Sequence, residues 1–480
     1  MTLEGLSGGP MCWGSKTNTQ DDDPKEVSTI GFSLAPGSRV PMQQTIQKGD
    51  TMNKTDAHCH AEDSYAVLIG IDWADDKHDM WLYDTQSGQQ SHQVIEHTPE
   101  ALTEWIARLR TTYQGGLIAI GLEQKRGALI HALLGFECIR LYPINPSTLA
   151  KYREAFSPSG AKDDPTDAQL LMELLLKHRD KLKRWKPDDE NTRLLTLLCE
   201  ERRKCVNWRT KLVLRLQALL KGYFPQALDL LDGNLTSNMA CDFLLKWPEL
   251  NALKRAKAQT VRSFYYGHNI RRGDLIEKHI EAIGSAVSLT EDKAIVTASI
   301  ITAKALAKQI RTTMAAIEQY NKEIDAVYRL HPDAFIFDSL PGAGKVLGPR
   351  LLSVMGSDRS RYQRAIDLQT YTGIAPVTER SGKQQWVHWR WACPKFVRQS
   401  FHEFANCSRR FSLWAKAYYE LQRQRGKDHH AAIRSLAFKW QRIILRCWQK
   451  RIPYDEETYI LALKTHGSPL WERIQALAGG

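Results

Sequence analysis

The chain has 480 residues, 42% hydrophobic and 25% charged, an ordinary composition that at roughly 100–200 residues per domain suggests two to four domains. Lys plus Arg number 66 against 54 Asp plus Glu, a formal charge of +12. No apolar run approaches the roughly 18–20 residues of a membrane span, and the first residues lack the charged start and apolar core of a secretory signal. Membrane and secreted classes are excluded on that reading, and a cytoplasmic setting is expected.

The nine cysteines are scattered and form no CxxC pair, so neither a zinc site nor a disulfide framework is indicated. His58-Cys59-His60 has no second ligand pair near it and reads as a polar stretch. The charge is unevenly placed. From Asp338 onward there are 24 Lys/Arg against 11 Asp/Glu, a net +13, which leaves the preceding residues at −1. Aromatic rings are interleaved with those cations: Trp386, Trp389, Arg390, Trp391, Lys395, Phe396 and Arg398, then Arg409, Arg410 and Phe411. A basic, aromatic third on a neutral body suits phosphate neutralisation and base stacking.

Residues 1–61 are rich in Gly, Ser, Thr, Gln, Asp and Pro, and read as disordered or as an over-long start ahead of an initiator at Met52. A first unit is expected over 62–185. Ala66–Asp72 is a short apolar run ending in an acid, the pattern of a buried strand, with Asp79–Tyr83 as its hairpin partner. A helix over Pro99–Thr112 precedes a second apolar strand, Leu117–Glu123, which also ends in an acid. A helix over Gly127–Gly135, a strand over Ile139–Ile144 and a helix opened by Asp164-Pro165 complete an α/β pattern.

Residues 186–335 read as two long helices around a helical insertion at about 223–289. Leu198, Cys205, Leu212 and Leu219 recur every seven residues in the first helix, and Val296, Ala303, Ile310, Ile317 and Ile324 in the second. Such heptads predict a coiled coil, self-paired or paired with a second chain. A helical unit over 336–480 opens with Leu340-Pro341-Gly342-Ala343-Gly344-Lys345 ahead of an apolar helix. This reads as a helix-hairpin-helix element in which Gly342 and Gly344 let backbone amides approach a phosphate, with Lys345 beside them. The spacing is not that of a Walker loop, which argues against ATP.

Phosphodiester chemistry with divalent metals needs several carboxylates from different elements, because hard cations take oxygen ligands. Asp72 and Glu123 end two strands that, if adjacent, bring both acids to one sheet edge. Asp164 and Asp167 are three apart at a helix start, where capping is the plainer explanation of that pair taken alone.

Taken in order, Ile69-Gly70-Ile71-Asp72-Trp73-Ala74, Gly121-Leu122-Glu123, Tyr142–Pro146 and Lys162–Ala168 resemble the ribonuclease-H-like (RuvC-like) domain of the DEDD transposases. These are the one-ten branch of bacterial insertion sequences, with the related Piv/MooV DNA invertases. Asp163 stands where the family usually has Thr, and the spacing to Asp167 and Ala168 favours Asp164 over Asp163 as the ligand. Leu340–Gly344 and Tyr371–Lys383 are similar to the family's second, serine-bearing domain; after Lys383 the usual Gly- and Arg-rich run is replaced by Gln384–Trp391.

The resemblance implies Mg²⁺ held by Asp72, Glu123, Asp164 and Asp167, and a nucleophile at Ser381 that forms a phosphoserine bond with DNA. Gly382 lets the chain turn beside it, and Arg380 and Lys383 flank it with charge. The resemblance also implies DNA partners (element ends and target), a structured guide RNA encoded by the element, and a dimer or tetramer. Two other functions are weighed: a junction resolvase or nuclease using the four acids and water, and a nucleic-acid-binding scaffold with a decayed site. His388 and His402 are considered as general acids, with surface or packing roles preferred.

Overall fold

A computed structural model describes residues 64–124, 126–156, 163–382 and 384–478. The expectations for residues 1–61, His58–His60 and Lys383 fall outside the described residues. The α/β unit contains β1 (Tyr65–Trp73), β2 (Lys77–Asp84), β3 (Gln90–Glu96), α1 (Pro99–Thr112), β4 (Leu117–Leu122), α2 (Ala128–Leu133), β5 (Ile139–Pro143), α3 (Pro146–Phe156) and α4 (Asp164–His178). The sheet order is β3-β2-β1-β4-β5, antiparallel on the β2–β3 side of β1 and parallel on the β4–β5 side.

Both faces of the sheet are covered, which is why β1 and β4 read as continuous apolar runs rather than alternating ones. Val67, Ile69, Ile71, Ile118, Ile120 and Leu122 meet Trp105 and Ile106 of α1 and Leu129 and Ile130 of α2. On the opposite face Leu68 and Ala119 meet Met172 and Leu175 of α4. β3 is a polar edge strand with Ile95 as its one buried residue. That is how an edge avoids recruiting further strands, and it hides the strand from a search for apolar alternation. α3, equally apolar-poor with Leu149 alone buried, is likewise absent from the sequence-based expectation.

α5 (Glu190–Tyr223) leads into five short helices, α6 (Gln226–Leu230), α7 (Asn238–Lys246), α8 (Leu250–Lys254), α9 (Ala258–Gly267) and α10 (Gly273–Ser285), before α11 (Lys293–Arg329) returns. α5 and α11 lie antiparallel. Leu195 and Cys199 share a core with Ile324 and Tyr328, while Leu212, Leu216 and Leu220 share one with Ala303, Leu306 and Ile310 and the short helices. The predicted seam on α11 is therefore filled inside one chain: Ala303, Ile310, Ile317 and Ile324 are all buried. Of the two pairings that the heptads allow, the packing of α11 against α5 is the one within the chain.

The remainder is α12 (Ala334–Asp338), α13 (Gly344–Met355), α14 (Ala365–Tyr371), the hairpin β6 (Val377–Ser381) and β7 (Gln384–His388), then α15 (Lys395–Ser408), α16 (Leu413–Gln424), α17 (His429–Lys450), α18 (Glu456–Thr465) and α19 (Pro469–Ala478). Its core is aromatic. Trp414 and Trp440 pack with ring centroids 4.6 Å apart, and their indole N–H groups donate to Tyr454 and Ser408 at 2.7 and 2.8 Å. Those partners are what allow large amphipathic rings to be fully buried. Among the described residues no helix is long and apolar enough to cross a membrane.

The sheet and α4 touch with almost nothing between them. A β-carbon added at Gly70 would lie 2.0 Å from the Ala168 carbonyl oxygen and 2.4 Å from the Met172 nitrogen; one at Gly121 would lie 3.1 Å from the Leu171 carbonyl. Gly70→Ala is expected to push α4 off the sheet and destabilise the unit by about 3 kcal/mol, at the upper end of ordinary overpacking costs. Gly121→Ala should cost visibly less. Urea denaturation followed by circular dichroism gives the ranking, and equal midpoints for the two variants would refute it.

Candidate functional site

Gly70 pairs with Gly121 and Ile71 with Leu122 across the parallel β1–β4 ladder, so the next positions, Asp72 and Glu123, stand level at the C-terminal edge of the sheet. Side chains alternate along a strand, so both acids share the face that Gly70 and Gly121 turn toward α4. Both are half-buried. α4 runs against the direction of β1: Ala168 and Met172 lie over Gly70, while Arg179 beyond the helix lies 5.0 Å from the centre of the Tyr65 ring at the start of the strand. The first turn of α4, with Asp164 and Asp167, consequently reaches the edge from which Asp72 and Glu123 emerge.

The two α4 acids differ sharply. Asp164 is exposed, as is Asp163 at the N-cap, whose side chain makes no capping bond. Asp167 is 2% exposed, and one of its carboxylate oxygens accepts from Arg153 of α3, at 2.8 Å from Nε and more closely still from Nη2. A buried carboxylate needs such a partner, because desolvation alone would make the ionised form very costly. Carboxylates are the donors a hard divalent cation takes, so the set fits in chemistry and in its shared edge. It is not a closed cage: among the described residues no group of three or more His, Cys, Asp or Glu is disposed to hold a metal.

A fifth acid, absent from the sequence-based site, lies beside this set. Asp79 of β2 is the cross-strand partner of Asp72, is 6% exposed, and is 2.8 Å from Nε2 of His92. Period-2 alternation with Trp81 and Tyr83 was the available signal for its inward orientation. Next to it, burial and then the nearby His97 push the His78 pKa down to about 4.

Ser381 ends β6 at the tip of a two-stranded ribbon, opposite Gln384, and Gly382 turns the chain with a φ of +59°. A positive φ at this position is what two-residue hairpins require and what glycine supplies without strain. Ser381 and Arg380 are exposed. The base of the hairpin is clamped by Arg390, whose Nε and Nη2 donate to the carbonyls of Ala375 and Pro376 at 3.2 and 3.4 Å. Arg390 thus works inward, where the sequence suggested a nucleic-acid contact.

Gly342 is also used internally. Its φ is +81°, and an added β-carbon would lie 2.8 Å from the Phe411 ring and 3.2 Å from the Cys407 carbonyl carbon, so close packing explains this glycine. Gly344 and Lys345 remain exposed, as does Lys395. Arg398 lies 5.2 Å from the centre of the Trp389 ring. His388 pairs with Glu379 across the hairpin at 3.3 Å, and burial pushes the His402 pKa down to about 4, with Arg434 adding to the effect.

The acids and the serine lie on different units. Lys183 joins those units directly by donating to the Arg361 carbonyl at 2.9 Å, and Asp188, at the start of the next segment, accepts from the Ser357 amide at 2.7 Å and from Arg361 at 2.6 Å. Arg126, just beyond Glu123, adds a 2.6 Å bond to Glu200 of α5. None of these contacts includes the hairpin.

Residues 69–225 match the DEDD IS110-type transposase family model, and residues 334–420 match that of the "Transposase IS116/IS110/IS902 family". The chain is similar to the "Mini-circle putative transposase for IS117" of Streptomyces coelicolor, with 28% identity over 82% of this chain and 97% of the relative. It is also similar to the IS900 uncharacterized 42 kDa protein of Mycobacterium paratuberculosis, with 25% identity over 77% of this chain and 92% of the relative. A third relative, the IS110 uncharacterized 43.6 kDa protein of S. coelicolor, is 23% identical over 58% of this chain and 69% of its own length. A sheet edge carrying acids, a basic helical unit and two transposase matches in order define a transposase, an enzyme that processes DNA. The chain belongs to the IS110 family of insertion-sequence transposases.

The Arg153–Asp167 pair gives an asymmetric expectation. Arg153→Met strands a buried carboxylate and should destabilise the protein by about 3–5 kcal/mol, the cost of breaking a buried pair from one side. Asp167→Asn should cost less, because the freed guanidinium is nearer to solvent. Thermal unfolding of the two variants compares them directly, and a larger loss in Asp167→Asn would contradict this account of the pair.

Proposed function

We propose that this transposase cleaves and rejoins DNA through Ser381, with Asp72, Glu123, Asp164 and Asp167 as ligands of Mg²⁺. The observation that carries the reading is the convergence of two strand-end acids and the first turn of α4 on one sheet edge. The sheet order, three antiparallel strands followed by two parallel ones, supports a ribonuclease-H-like fold for residues 62–185. In this reading residues 186–335 are a stalk with the lobe at about 223–289, and 336–480 are the serine-bearing unit.

The serine hydroxyl attacks a backbone phosphorus. A P–O bond to Oγ forms, the bond to one deoxyribose oxygen breaks, and that oxygen leaves as a hydroxyl. The reverse attack by a hydroxyl of the new strand releases Ser381 and restores a phosphodiester. The ester keeps the bond energy, so rejoining needs no nucleotide cofactor. A bound Mg²⁺ supplies charge stabilisation of the phosphoryl oxygens and lowers the pKa of a coordinated oxygen nucleophile. Serine is a weak nucleophile until activated, which is why the acids and the hairpin must meet during reaction. Arg380 and Lys383, on either side of Ser381 and Gly382 in the sequence, would supply charge to neutralise the attacked phosphate.

Holding two duplexes requires more than one protomer, and Leu194, Leu197 and Trp208, exposed along one outer face of α5, suit a homodimer or a tetramer. A structured RNA from the element's flank, paired to donor and target, supplies sequence choice in this reading, and the enzyme works in the cytoplasm.

The test is trapping. The purified protein is incubated with Mg²⁺, element-end DNA and RNA transcribed from the element flank, then denatured and resolved for a protein–DNA adduct. The adduct is expected with the unaltered chain and should vanish in Ser381→Ala and in Asp72→Ala. Nicked ends that persist in Ser381→Ala would make water the nucleophile and sink the serine mechanism.

A further inference from the structure

We infer that the pocket at the base of the hairpin, between α15 and the start of α17, is a clamp for one backbone phosphate of a nucleic-acid strand. The inference rests on the nucleic-acid reading above but not on Ser381 or the acids. The cavity is about 330 Å³ and is lined by Trp389, Lys395, Arg398, Gln399, His402 and His430. No acid is among the lining residues. Lys395, Arg398, Gln399 and His402 follow the i, i+3, i+4, i+7 spacing of a single helix face, so α15 presents one continuous polar wall.

The unsatisfied groups say what the occupant must offer. Trp389 Nε1 and His402 Nε2, on two lining residues, and Arg434 Nε, on the side chain stacked over Trp389, are buried and have no hydrogen-bond partner among the described residues. Trp389 and Arg434 can only donate, and His402 donates from Nε2 in one of its tautomers. Buried donors without acceptors are costly, and a ligand made of acceptors removes that cost. The surrounding charge narrows the class further: Arg398 and Lys395 line the pocket with no acid beside them in the lining, and Asp428, the acid near Arg434, already caps α17 by accepting from the Ala431 amide at 2.6 Å. An anionic, acceptor-only group with oxygens in several directions is a phosphate.

Base stacking fits less well. Arg434 already sits 3.4 Å from the centre of the Trp389 ring, and Arg398 lies 5.2 Å from it, so the indole backs two guanidinium groups instead of offering an open platform. The start of α15 adds the favourable end of a helix dipole. α15 begins after Pro394, which makes no side-chain capping bond, so its first amides remain available. His402 is held neutral by burial and by its cationic neighbours, which is the state an anion would relieve.

The test measures binding by full-length protein without metal, so that no strand is cut and the result is independent of the trapping experiment. Fluorescence anisotropy with labelled DNA and RNA of matched sequence is followed between 50 and 200 mM salt. Trp389→Phe and His402→Gln are expected to weaken binding about tenfold. Arg434→Gln should do the same and lower the slope of log K against log salt by about one, the signature of one lost phosphate contact. Lys464→Gln on α18 is the charge-matched control. Losses with DNA alone or RNA alone would assign the strand, and losses with both would mean that each supplies the phosphate. If His402→Gln does not fold, His430→Ala at an exposed position takes its place. Binding equal to the control in all variants, with either nucleic acid, would overturn the clamp.

Discussion

The contact between the backbone of α4 and the two glycines beneath it governs the geometry of the α/β unit. A helix normally stands off a sheet by the thickness of its side chains. Here Gly70 and Gly121, level on adjacent strands, remove that spacer at one point, and the Ala168 carbonyl and Met172 amide come down onto β1. Two residues further along each strand are Asp72 and Glu123; one turn earlier on the helix is Asp164. The close approach therefore fixes the depth and the register at which acids from three elements share an edge. The same approach buries Asp167, which creates the need for Arg153 as a counter-charge.

The basic helical unit solves a different problem, which is presenting an exposed serine on a short ribbon without letting the ribbon collapse. β6 and β7 are solvent-exposed along nearly their whole length and contribute little apolar burial. An isolated two-stranded hairpin is marginal in water. Its base is instead tethered by Arg390 to the Ala375 and Pro376 carbonyls, and its continuation by Trp389 packing under Arg434. Glycine at 373, with a φ of +71°, allows Cys393 to pack against the chain just before the hairpin, closing the same base from the other side.

Much of this architecture was legible in the sequence, and the parts that were not share physical causes. Buried strands such as Leu117–Leu122 and the helix over Pro99–Thr112 carry dense apolar signals and strong caps, so their limits can be read closely. β3 and the β6–β7 hairpin are mostly solvent-exposed and polar, and periodicity has nothing to register there. The heptads of α5 and α11 correctly marked two long packed helices, but a repeat of seven does not say whose surface fills the seam. Asp79 escaped because a single acid in a hairpin strand looks like a surface residue until its cross-strand partner is known. The glycine of Gly342 was visible, yet its cause, the ring of Phe411, is a contact over many residues that no local pattern encodes.

Net charge illustrates how far composition reaches. The excess of cations beyond Asp338 is real, but several of them are structural. Arg350 is 3% exposed and bonded to Glu403 and Ser400; Arg359 pairs with Asp333 and lies over Trp448; Arg361 holds Asp188. These cations are neutralised by carboxylates, two of which, Asp188 and Asp333, lie outside the basic third, so they tie that third to what precedes it and add little to the outward field. Among the described residues, Lys345, Arg380 and Lys395 are exposed cations of this third without an ion pair. The outward field is therefore set by exposed cations such as these, and the net +13 of the segment overstates it.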